Sequence, residues 1–215
     1  MEEPASWQHL RRQLEDCTAC ALRGQCLAPV GWFGTLDSPL MIVGEGPGGV
    51  EDAYGCPLIG PSGQFLDKVL WAAGITRDRI YTSNVIKCRP KGNRTPSPEE
   101  GMVCAQRILE QEIQLLQPLV IVALGSVALR YFKNPQARIT GERGQWFTTR
   151  EQIPCIATYH PSYLLRQEGQ ARINAKWEMF RDLFAAKAKV LEQKPDYVFA
   201  GSAPTSLFQL FQKRS

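Results

Sequence analysis

The chain has 215 residues, enough for one large domain, and its 44% hydrophobic and 21% charged residues are typical of an ordinary folded protein. No apolar run approaches the roughly 18 residues of a membrane-spanning helix, and the acidic N-terminus lacks the apolar core of a signal peptide. We therefore expect a cytoplasmic (intracellular) protein without a membrane partner. The net charge of +4 favours a polyanionic partner only slightly, because many unrelated proteins share it.

The predicted elements of the first half of the chain alternate between helices and strands. A polar helix containing His9 comes first, followed by a short buried strand at Leu40–Val43 that ends in a glycine-rich turn. The next helix, Ser62–Ala73, stops at Gly74, and a second strand covers Ile80–Asn84. Two apolar strands separated by a helix indicate a parallel pair.

The second half of the chain continues this alternation. A long amphipathic helix, Pro98–Leu116, has Ser97 as its predicted N-cap and Pro98 in its first turn. The remaining predicted elements are a strand at Leu119–Leu124, a helix at Ser126–Tyr131, a strand at Ile153–Thr158 and a helix at about Ala171–Leu191.

This pattern predicts an α/β fold, a three-layer α/β/α sandwich whose central sheet has four strands and is mostly parallel. Residues 1–195 are predicted to form a single domain, and the looser composition of residues 196–215 predicts a flexible C-terminal tail. Ligands bind such sheets at the carboxyl ends of the strands. The segments predicted to lie there are Gly44–Gly48, Asn84 onward, Gly125–Ser126 and His160–Leu165.

The turn after the first strand, Gly44–Gly49, formally matches the glycine fingerprint of dinucleotide-binding domains. Two features oppose that interpretation. Glu45 would repel a pyrophosphate, and the second strand ends in Asn84 rather than in an acidic residue that could bind a ribose hydroxyl. A cofactor-dependent α/β enzyme is therefore a disfavoured alternative, whereas a carboxylate at this turn suits the handling of a water molecule or of a positively charged transition state.

Four of the seven cysteines form a candidate metal site. Cys17 and Cys20 have the C-x-x-C spacing that brings two thiolates to one centre, and Cys88 and Cys104 could complete a set of four sulfur ligands. The spacing does not distinguish zinc from an iron–sulfur cluster. Disulfides are not expected in an intracellular protein, and Cys155, inside an apolar strand, is most simply a buried small hydrophobe.

Basic residues are concentrated in two predicted loops. Charges of this kind either contact a polyanion or are simply solvated, and composition alone does not separate the two explanations. The two groups are Lys87, Arg89, Lys91 and Arg94, and Arg138, Arg143 and Arg150.

The glycine turn, the strand ends and the cysteine set together resemble the family 4 uracil-DNA glycosylases, the iron–sulfur type. The resemblance runs from about Leu14 to Arg166 and is more specific than any single motif. It implies an enzyme that hydrolyses the N-glycosidic bond of flipped-out uracil in single- or double-stranded DNA, leaving an abasic site for base excision repair. The matching segments are Gly44–Gly48, Glu51–Asp52, Pro57–Gly60, Ser62–Leu66, Asn84–Pro90, Asn93–Arg94, Leu124–Gly125, Thr140–Trp146 and His160–Arg166.

The resemblance implies roles for residues that would surround the base. Glu45 would orient or deprotonate the attacking water, and His160 would donate a hydrogen bond to the uracil O2, where charge develops. Asn84 would pair with uracil through one acceptor and one donor, a pattern that cytosine does not match. Two further contacts are implied, from the Gly46 backbone N–H and from Glu51 at the edge that would exclude a thymine methyl group.

The same resemblance implies the DNA contacts and the cofactor. The segment after His160 would act as a wedge, with apolar tips that fill the vacated base stack and an arginine that meets phosphate. The implied DNA contacts are Lys87, Arg89, Arg143, Tyr163, Leu164 and Arg166. The four cysteines fall where the family's cluster ligands fall, which favours a structural [4Fe–4S] cluster over zinc. These ligands are Cys17, Cys20, Cys88 and Cys104.

Leu58 departs from the family pattern, in which an aromatic residue stacks on the flipped base. Base–aromatic stacking contributes roughly 1–3 kcal/mol, so a leucine predicts activity reduced by about one to two orders of magnitude. The departure also keeps open a second class of function, a non-catalytic DNA-binding or scaffolding protein derived from a glycosylase. A related group that traps DNA covalently carries a basic insertion that contains a histidine. The corresponding segment here, Lys87–Glu99, is short and contains no histidine, so we expect the enzyme to turn over.

The C-terminal segment Thr205–Phe211 partly resembles the apolar and aromatic peptides that bind replication sliding clamps. An ordinary strand or packing segment explains it better, so contact with a clamp is only a secondary expectation. For the whole chain we expect a monomer.

Overall fold

The computed structural model of the chain describes residues 3–202. A central sheet of six strands runs through it. The strands are β1 (Phe33–Gly34), β2 (Leu40–Gly44), β3 (Tyr81–Asn84), β4 (Val120–Leu124), β5 (Trp146–Thr148) and β6 (Pro154–Thr158). Their order across the sheet is β1–β3–β2–β4–β6–β5.

The four inner strands are the predicted ones, and they are parallel to one another. The prediction of a four-stranded sheet is wrong, because β1 and β5 add an antiparallel strand at each edge. These two strands have only two and three residues, and their side chains are partly exposed, so no apolar run marks them in the sequence.

Helices cover both faces of the sheet. The α-helices are α1 (Ala5–Glu15), α2 (Gly49–Tyr54), α3 (Pro61–Ala72), α4 (Pro98–Cys104), α5 (Glu110–Leu116), α6 (Gly125–Phe132), α7 (Ile139–Glu142), α8 (Pro161–Leu165) and α9 (Gly169–Gln193). Short 3₁₀ turns occupy Ala21–Gly24, Arg77–Arg79 and Lys91–Asn93.

Alternate side chains of the buried strands enter two separate cores, which confirms the three-layer α/β/α arrangement. Met41 and Val43 of β2 pack against α1, α5 and α6, whereas Leu40 and Ile42 pack against α3 and α9. Every residue of β2 and β4 is buried, as expected for parallel strands that are covered on both faces.

The predicted helix ends at Gly74 and Ser97 are confirmed. Gly74 has a left-handed φ of 67°, and the N–H of the following residue, Ile75, donates to the Leu70 carbonyl at 2.9 Å, closing α3. At the start of α4, the Ser97 hydroxyl accepts from the Glu100 N–H at 3.2 Å, and the Glu100 carboxylate accepts from the Ser97 N–H at 2.8 Å.

The helix predicted at Pro98–Leu116 contains a π-helical segment between α4 and α5. This segment, Ala105–Leu109, begins directly after Cys104. A π-turn shifts the faces of the helix that follows it relative to the one before, and such turns are frequent near functional sites. Sequence periodicity did not show it, because the apolar spacing remains close to that of an uninterrupted helix.

The first residues of the predicted tail pack onto the domain. Phe199 is buried, and its carbonyl accepts from the Thr76 N–H at 2.9 Å. The Tyr197 hydroxyl donates to the Arg79 carbonyl at 2.6 Å. The predicted clamp-binding segment, Thr205–Phe211, lies outside the described residues. In the part that is described, no helix is long and apolar enough to cross a membrane.

Candidate functional site

The carboxyl ends of the inner strands surround a cavity of about 580 Å³. Paired positions at these ends are Gly44 with Asn84 and Leu124 with Thr158, so the segments that follow the four strands meet at one rim. Residues that line the cavity include Glu45, Gly46, Glu51, Leu58, His160 and Arg166. The rim thus brings together most of the residues singled out as candidate catalytic and base-binding residues.

Glu45 is held at the cavity by its backbone. The Glu45 carbonyl accepts from the Ile86 N–H at 3.0 Å, and the Gly44 carbonyl accepts from the Val85 N–H at 2.9 Å. Glycine is required at position 46, because a Cβ atom there would lie 2.4 Å from the Ile86 side chain. Partial burial raises the pKa of the Glu45 carboxyl above its ordinary value, because burial penalises the charged form.

Glu51 ties the glycine turn to the segment that carries Leu58. One carboxylate oxygen accepts from the N–H groups of Ile59 at 3.1 Å and Gly60 at 2.8 Å. The other accepts from the Gly48 N–H at 3.1 Å. Both oxygens are therefore engaged by the backbone, and the side chain is 8% exposed. The carboxylate positions the two loops on either side of the cavity.

Asn84 is buried at the end of β3, and its amide has an unusual environment. The side chain is 1% exposed, and neither Nδ2 nor Oδ1 has a hydrogen-bond partner among residues 3–202. A Cβ atom on Gly44 would lie 2.5 Å from Asn84 Oδ1 and 3.7 Å from Leu58 Cδ2, so the amide is adjacent to Gly44 and close to the cavity wall. An unpaired buried amide is costly unless a ligand satisfies it.

Leu58 occupies a strained backbone position in the cavity wall. Its φ is 54°, a region that side chains other than glycine rarely adopt. Buried Arg77 stabilises this turn by donating to the carbonyls of Leu58 at 3.1 Å and Pro57 at 3.0 Å, while it pairs with Asp67 at 3.0 Å. Gly63 is needed because a Cβ atom there would lie 1.7 Å from the Leu58 oxygen. Strain held in place this firmly is typical of functional loops.

His160 faces the cavity as a neutral imidazole. Its Nδ1 accepts from the Ser162 N–H at 3.2 Å and lies 2.8 Å from the Ser162 hydroxyl. An accepting Nδ1 carries no proton, so the neutral ring carries its proton on Nε2. Burial, with a smaller contribution from Arg166, lowers the pKa of His160 to about 4. Gly125 allows the close approach, because a Cβ atom there would lie 2.8 Å from His160 Cβ.

The four candidate ligand cysteines line one small cavity between α1, α4 and the segment after β3. All seven cysteines, which lie within residues 3–202, are free thiols. No group of three or more Cys, His, Asp or Glu side chains in this range has the arrangement of a metal site. The Lys87 N–H donates to Cys104 Sγ at 3.2 Å, and burial raises the pKa of this thiol to about 11. A metal that binds here must therefore displace thiol protons.

Comparison with known proteins identifies the family. A family model for the uracil DNA glycosylase superfamily matches residues 31–184. A type-4 uracil-DNA glycosylase of Thermotoga maritima is 44% identical over 158 residues, which cover 72% of this chain and 80% of that protein. The type-4 enzyme of Pyrobaculum aerophilum is 35% identical over 167 residues, 74% of this chain and 85% of that protein.

The chain belongs to the type-4 uracil-DNA glycosylases. A type-5 uracil-DNA glycosylase of Pyrobaculum aerophilum is also similar, at 29% identity over 177 residues, 71% of this chain and 74% of that protein. The resemblance first noted in the motifs is thereby confirmed over most of the chain.

In this member of the family, two of the predicted DNA contacts are wrong. Lys87 is 1% exposed, and its ammonium forms an ion pair with Glu112 at 2.7 Å and a hydrogen bond with Ser83. Leu164 of α8 is fully buried in the core, so it is not available as an apolar tip of the predicted wedge. Its neighbour Leu165 is 37% exposed. Sequence patterns placed both residues in loops and gave no sign of their burial.

The other predicted DNA contacts of the glycosylase lie at or near the rim. Arg166 is exposed and lines the cavity, and Arg89 is partly exposed, with its guanidinium 3.2 Å from where a Cβ atom on Gly49 would be. Tyr163 is partly buried, and its ring centroid is 4.8 Å from that of Tyr159. Arg143 is partly exposed and is engaged by Asp182.

Two residues that hold predicted site residues in place were not singled out in the sequence. Arg77 supports the Leu58 turn, and Asp182 binds Arg143. Arg77 and Asp182 are charged residues on or next to amphipathic elements, where sequence patterns predict solvent exposure. Arg94, which lines the cavity, was named in the sequence only as one charge of the basic group after β3 and as part of a matching segment.

Proposed function

We propose that this protein is a uracil-DNA glycosylase that hydrolyses the N-glycosidic bond of extruded uracil and leaves an abasic site for base excision repair inside the cell. The observation that carries the proposal is that Glu45 and His160 face one cavity at the rim of the sheet, with the unpaired amide of Asn84 beside it. A non-catalytic DNA-binding protein would need none of these three groups, so that alternative is not favoured.

His160 is proposed to stabilise the leaving group. Cleavage of the C1′–N1 bond leaves negative charge on uracil, mainly at O2 and N1. The Nε2–H of a neutral imidazole can donate a hydrogen bond to O2 as this charge grows. The Ser162 contacts at Nδ1 support this role, because they fix the proton on the nitrogen that points away from Ser162.

Glu45 is proposed to act on the sugar, at the other end of the bond that breaks. Its carboxylate can orient the attacking water and accept its proton, and its charge stabilises the oxocarbenium-like sugar. The raised pKa of this carboxyl makes it a stronger base than an exposed glutamate. The incoming water oxygen forms the new bond to C1′, and uracil departs with the electrons of the old one.

Recognition of uracil is assigned to Asn84, Gly46 and Leu58. The Asn84 amide can accept from uracil N3–H and donate to O4, and cytosine would leave both groups unpaired. The Gly46 N–H is proposed to contact the base, and Leu58 provides an apolar wall without a π-face. Glu51, whose carboxylate is occupied by backbone N–H groups, is proposed to act by holding these loops.

DNA binding is assigned to exposed and partly exposed residues around the rim. Arg89 and Arg166 are proposed to contact phosphates, and Tyr163 with exposed Leu165 is proposed to fill the space that the extruded base leaves. Extrusion of a paired base costs a few kcal/mol and is not needed in a single strand. The protein is proposed to act as a monomer on both forms of DNA, and a sliding-clamp contact through the C-terminal tail is a secondary proposal.

A [4Fe–4S] cluster is proposed to be held by the four cysteines that share one small cavity. The donor set fits the group: Cys17, Cys20, Cys88 and Cys104 are all thiols, the ligands that iron–sulfur clusters require. When bound, the cluster would supply structural cross-linking of the N-terminal segment to the segment after β3. The Lys87 N–H would then donate to a ligand sulfur.

The experiment that tests the proposed function uses matched oligonucleotides with uracil, cytosine or thymine at one position. After incubation with the protein, hot alkali breaks the strand at abasic sites. We expect breaks only in the uracil oligonucleotide, both as a single strand and in U·G and U·A duplexes. Salt-dependent binding of DNA without strand breaks would instead support the non-catalytic alternative.

A further inference from the structure

Asp182 is a buried carboxylate on α9 that the proposed chemistry does not use. Its side chain is 5% exposed, and its two oxygens accept from Arg143 Nη1 at 3.0 and 3.1 Å. Glu178, one turn earlier on the helix, approaches Arg143 Nη2 at 3.5 Å. A buried charge needs a partner, so the pair fixes the guanidinium against α9.

Arg143 in turn contacts the segment that contains His160. Its guanidinium carbon lies 5.7 Å from the centroid of the Tyr159 ring, within the range of a cation–π interaction. The Tyr159 and Tyr163 rings are 4.8 Å apart and tilted by 33°. Tyr159 directly precedes His160, and Tyr163 lies in α8, which follows it. A continuous series of contacts therefore connects Asp182 of α9 with the residues on both sides of His160.

The backbone next to Arg143 is fixed as well. The Gly144 N–H donates to the Ala157 carbonyl of β6 at 2.8 Å, and Gly144 has a φ of 74°. A Cβ atom at Gly144 would lie 3.0 Å from Asp182 Oδ1, so the turn is close-packed against the carboxylate. Arg143 is therefore held from its backbone and from its side chain, as expected for a support and not for a mobile phosphate contact.

We propose that Asp182, acting through Arg143, is a positioning residue for the loop Tyr159–Arg166, which enters the duplex when uracil is extruded. The pair holds the Tyr159 and Tyr163 rings in their tilted contact, so that the loop is already formed before DNA binds. This inference rests on the proposed function. It also replaces the predicted phosphate contact of Arg143 by a contact with the Tyr159 ring.

The test compares uracil release from a single strand with release from a U·A duplex under single-turnover conditions. A single strand requires no extrusion from a paired stack, so it depends less on the loop. For Asp182→Asn we expect the ratio of the duplex rate to the single-strand rate to fall about tenfold. This is the fold-change that corresponds to loss of one well-formed aromatic contact, here the contact that Arg143 holds in place. The single-strand rate should stay close to that of the wild-type protein.

The matched control is Glu192→Gln, which removes one charge from the same helix. Glu192 forms an exposed pair with Lys189, far along α9 from the loop, and its loss should leave the ratio unchanged. Tyr159→Leu leaves the buried ion pair intact and removes the ring, so it should reproduce the fall in the ratio. Tyr159→Leu keeps the proposal testable if Asp182→Asn folds poorly. Thermal unfolding of Asp182→Asn would show whether it does.

Arg143→Lys separates positioning from phosphate binding. A lysine keeps the charge but loses the planar fork that pairs with a carboxylate and packs on a ring. Positioning predicts that Arg143→Lys lowers the ratio as much as Arg143→Gln does. Phosphate binding predicts that Arg143→Lys is nearly normal and that Asp182→Asn, by releasing Arg143, tightens DNA binding.

An unchanged ratio in a folded Asp182→Asn protein, whether both rates are normal or both fall equally, would overturn the inference, and so would an unchanged ratio in Tyr159→Leu. A wild-type protein that releases uracil from neither substrate would instead overturn the proposed function itself, and the inference with it. The two failures are therefore distinguishable in one experiment.

Discussion

His160 and Glu45 show how burial sets the protonation of a single side chain. Burial lowers the pKa of His160 to about 4, so the ring remains neutral and keeps its Nε2 proton at physiological pH. Burial raises the pKa of Glu45, so its carboxylate is more basic than usual. One cavity thus holds a neutral hydrogen-bond donor and a basic acceptor, the two groups that the proposed mechanism requires.

The pH dependence of the single-turnover rate tests the role of Glu45. The active form is the carboxylate, and its pKa is raised, so activity should be lost as the pH falls through a value above that of an ordinary glutamate. In Glu45→Gln this acid limb should disappear from the residual rate. An identical acid limb in both proteins would show that another group titrates.

Single residues were also where sequence patterns failed. Lys87 and Leu164 were predicted to contact DNA because they lie in segments that the resemblance assigns to DNA binding, but a pattern does not tell which side chain of such a segment turns inward. Asp182 was missed because a carboxylate on a long helix is usually solvated. Glu45, Asn84 and His160 were singled out because each stands at or just after the end of a predicted strand, where the ends of parallel strands meet at one edge, and because the resemblance gives each of them a role.

At the scale of elements, a buried ion pair joins α5 to the segment after β3. Glu112 of α5 is fully buried, accepts from Lys87 Nζ at 2.7 Å and accepts from the Ser83 hydroxyl at 2.7 Å. Ser83 precedes Asn84, and Lys87 precedes Cys88. The pair therefore connects the helix after Cys104 with the strand end that carries Asn84, the residue proposed to recognise the base.

Glu112→Gln should destabilise the protein strongly, because it leaves the Lys87 ammonium buried without a counter-charge. Breaking such a pair costs about 3–5 kcal/mol, whereas replacing both partners by apolar residues is often neutral. Denaturant unfolding should show this loss for Glu112→Gln and near-recovery for Lys87→Met/Glu112→Leu. Glu110→Gln, which breaks a more exposed pair between the first residue of α5 and Arg150, is the control. An equal loss of unfolding free energy in Glu110→Gln would contradict the account.

The sequence predicted the elements that have a long apolar pattern and missed those that do not. The four inner strands and α3 were placed to within one or two residues, and β2, β4 and β6 owe this to the continuous apolar runs that burial on both faces imposes. The edge strands β1 and β5 depend on pairing with a neighbour and not on their own composition. The π-turn after Cys104 likewise arises from tertiary context.

On the scale of the whole molecule, the cysteine cavity joins distant parts of the chain. Cys17 and Cys20 follow α1, whereas Cys88 lies on the segment after β3 and Cys104 is the last residue of α4. A cluster bound to all four would cross-link these parts, and metal binding of this kind contributes directly to folding.

Removal of one ligand tests the proposed cluster. Cys104→Ser should lose iron, acid-labile sulfide and the visible absorbance of the purified protein, together with part of its thermal stability. Cys155→Ser, which changes a buried thiol in β6 outside this cavity, should retain all of them. Zinc in place of iron in the wild-type protein, or full iron content in Cys104→Ser, would refute the proposed ligand set.

The central claim is that Glu45, Asn84 and His160 act together on one extruded uracil. The most direct measurement is single-turnover release of free uracil from a single-stranded oligonucleotide, by the wild-type protein and by Glu45→Gln, Asn84→Ala and His160→Gln. His9→Gln, a change at an exposed residue of α1, is the matched control. We predict release by the wild-type protein and by His9→Gln, and rates lower by about 10²–10³ in the other three, the usual loss for one transition-state contact. A wild-type protein that binds the oligonucleotide but releases no uracil, or full activity in any of the three, would contradict the account.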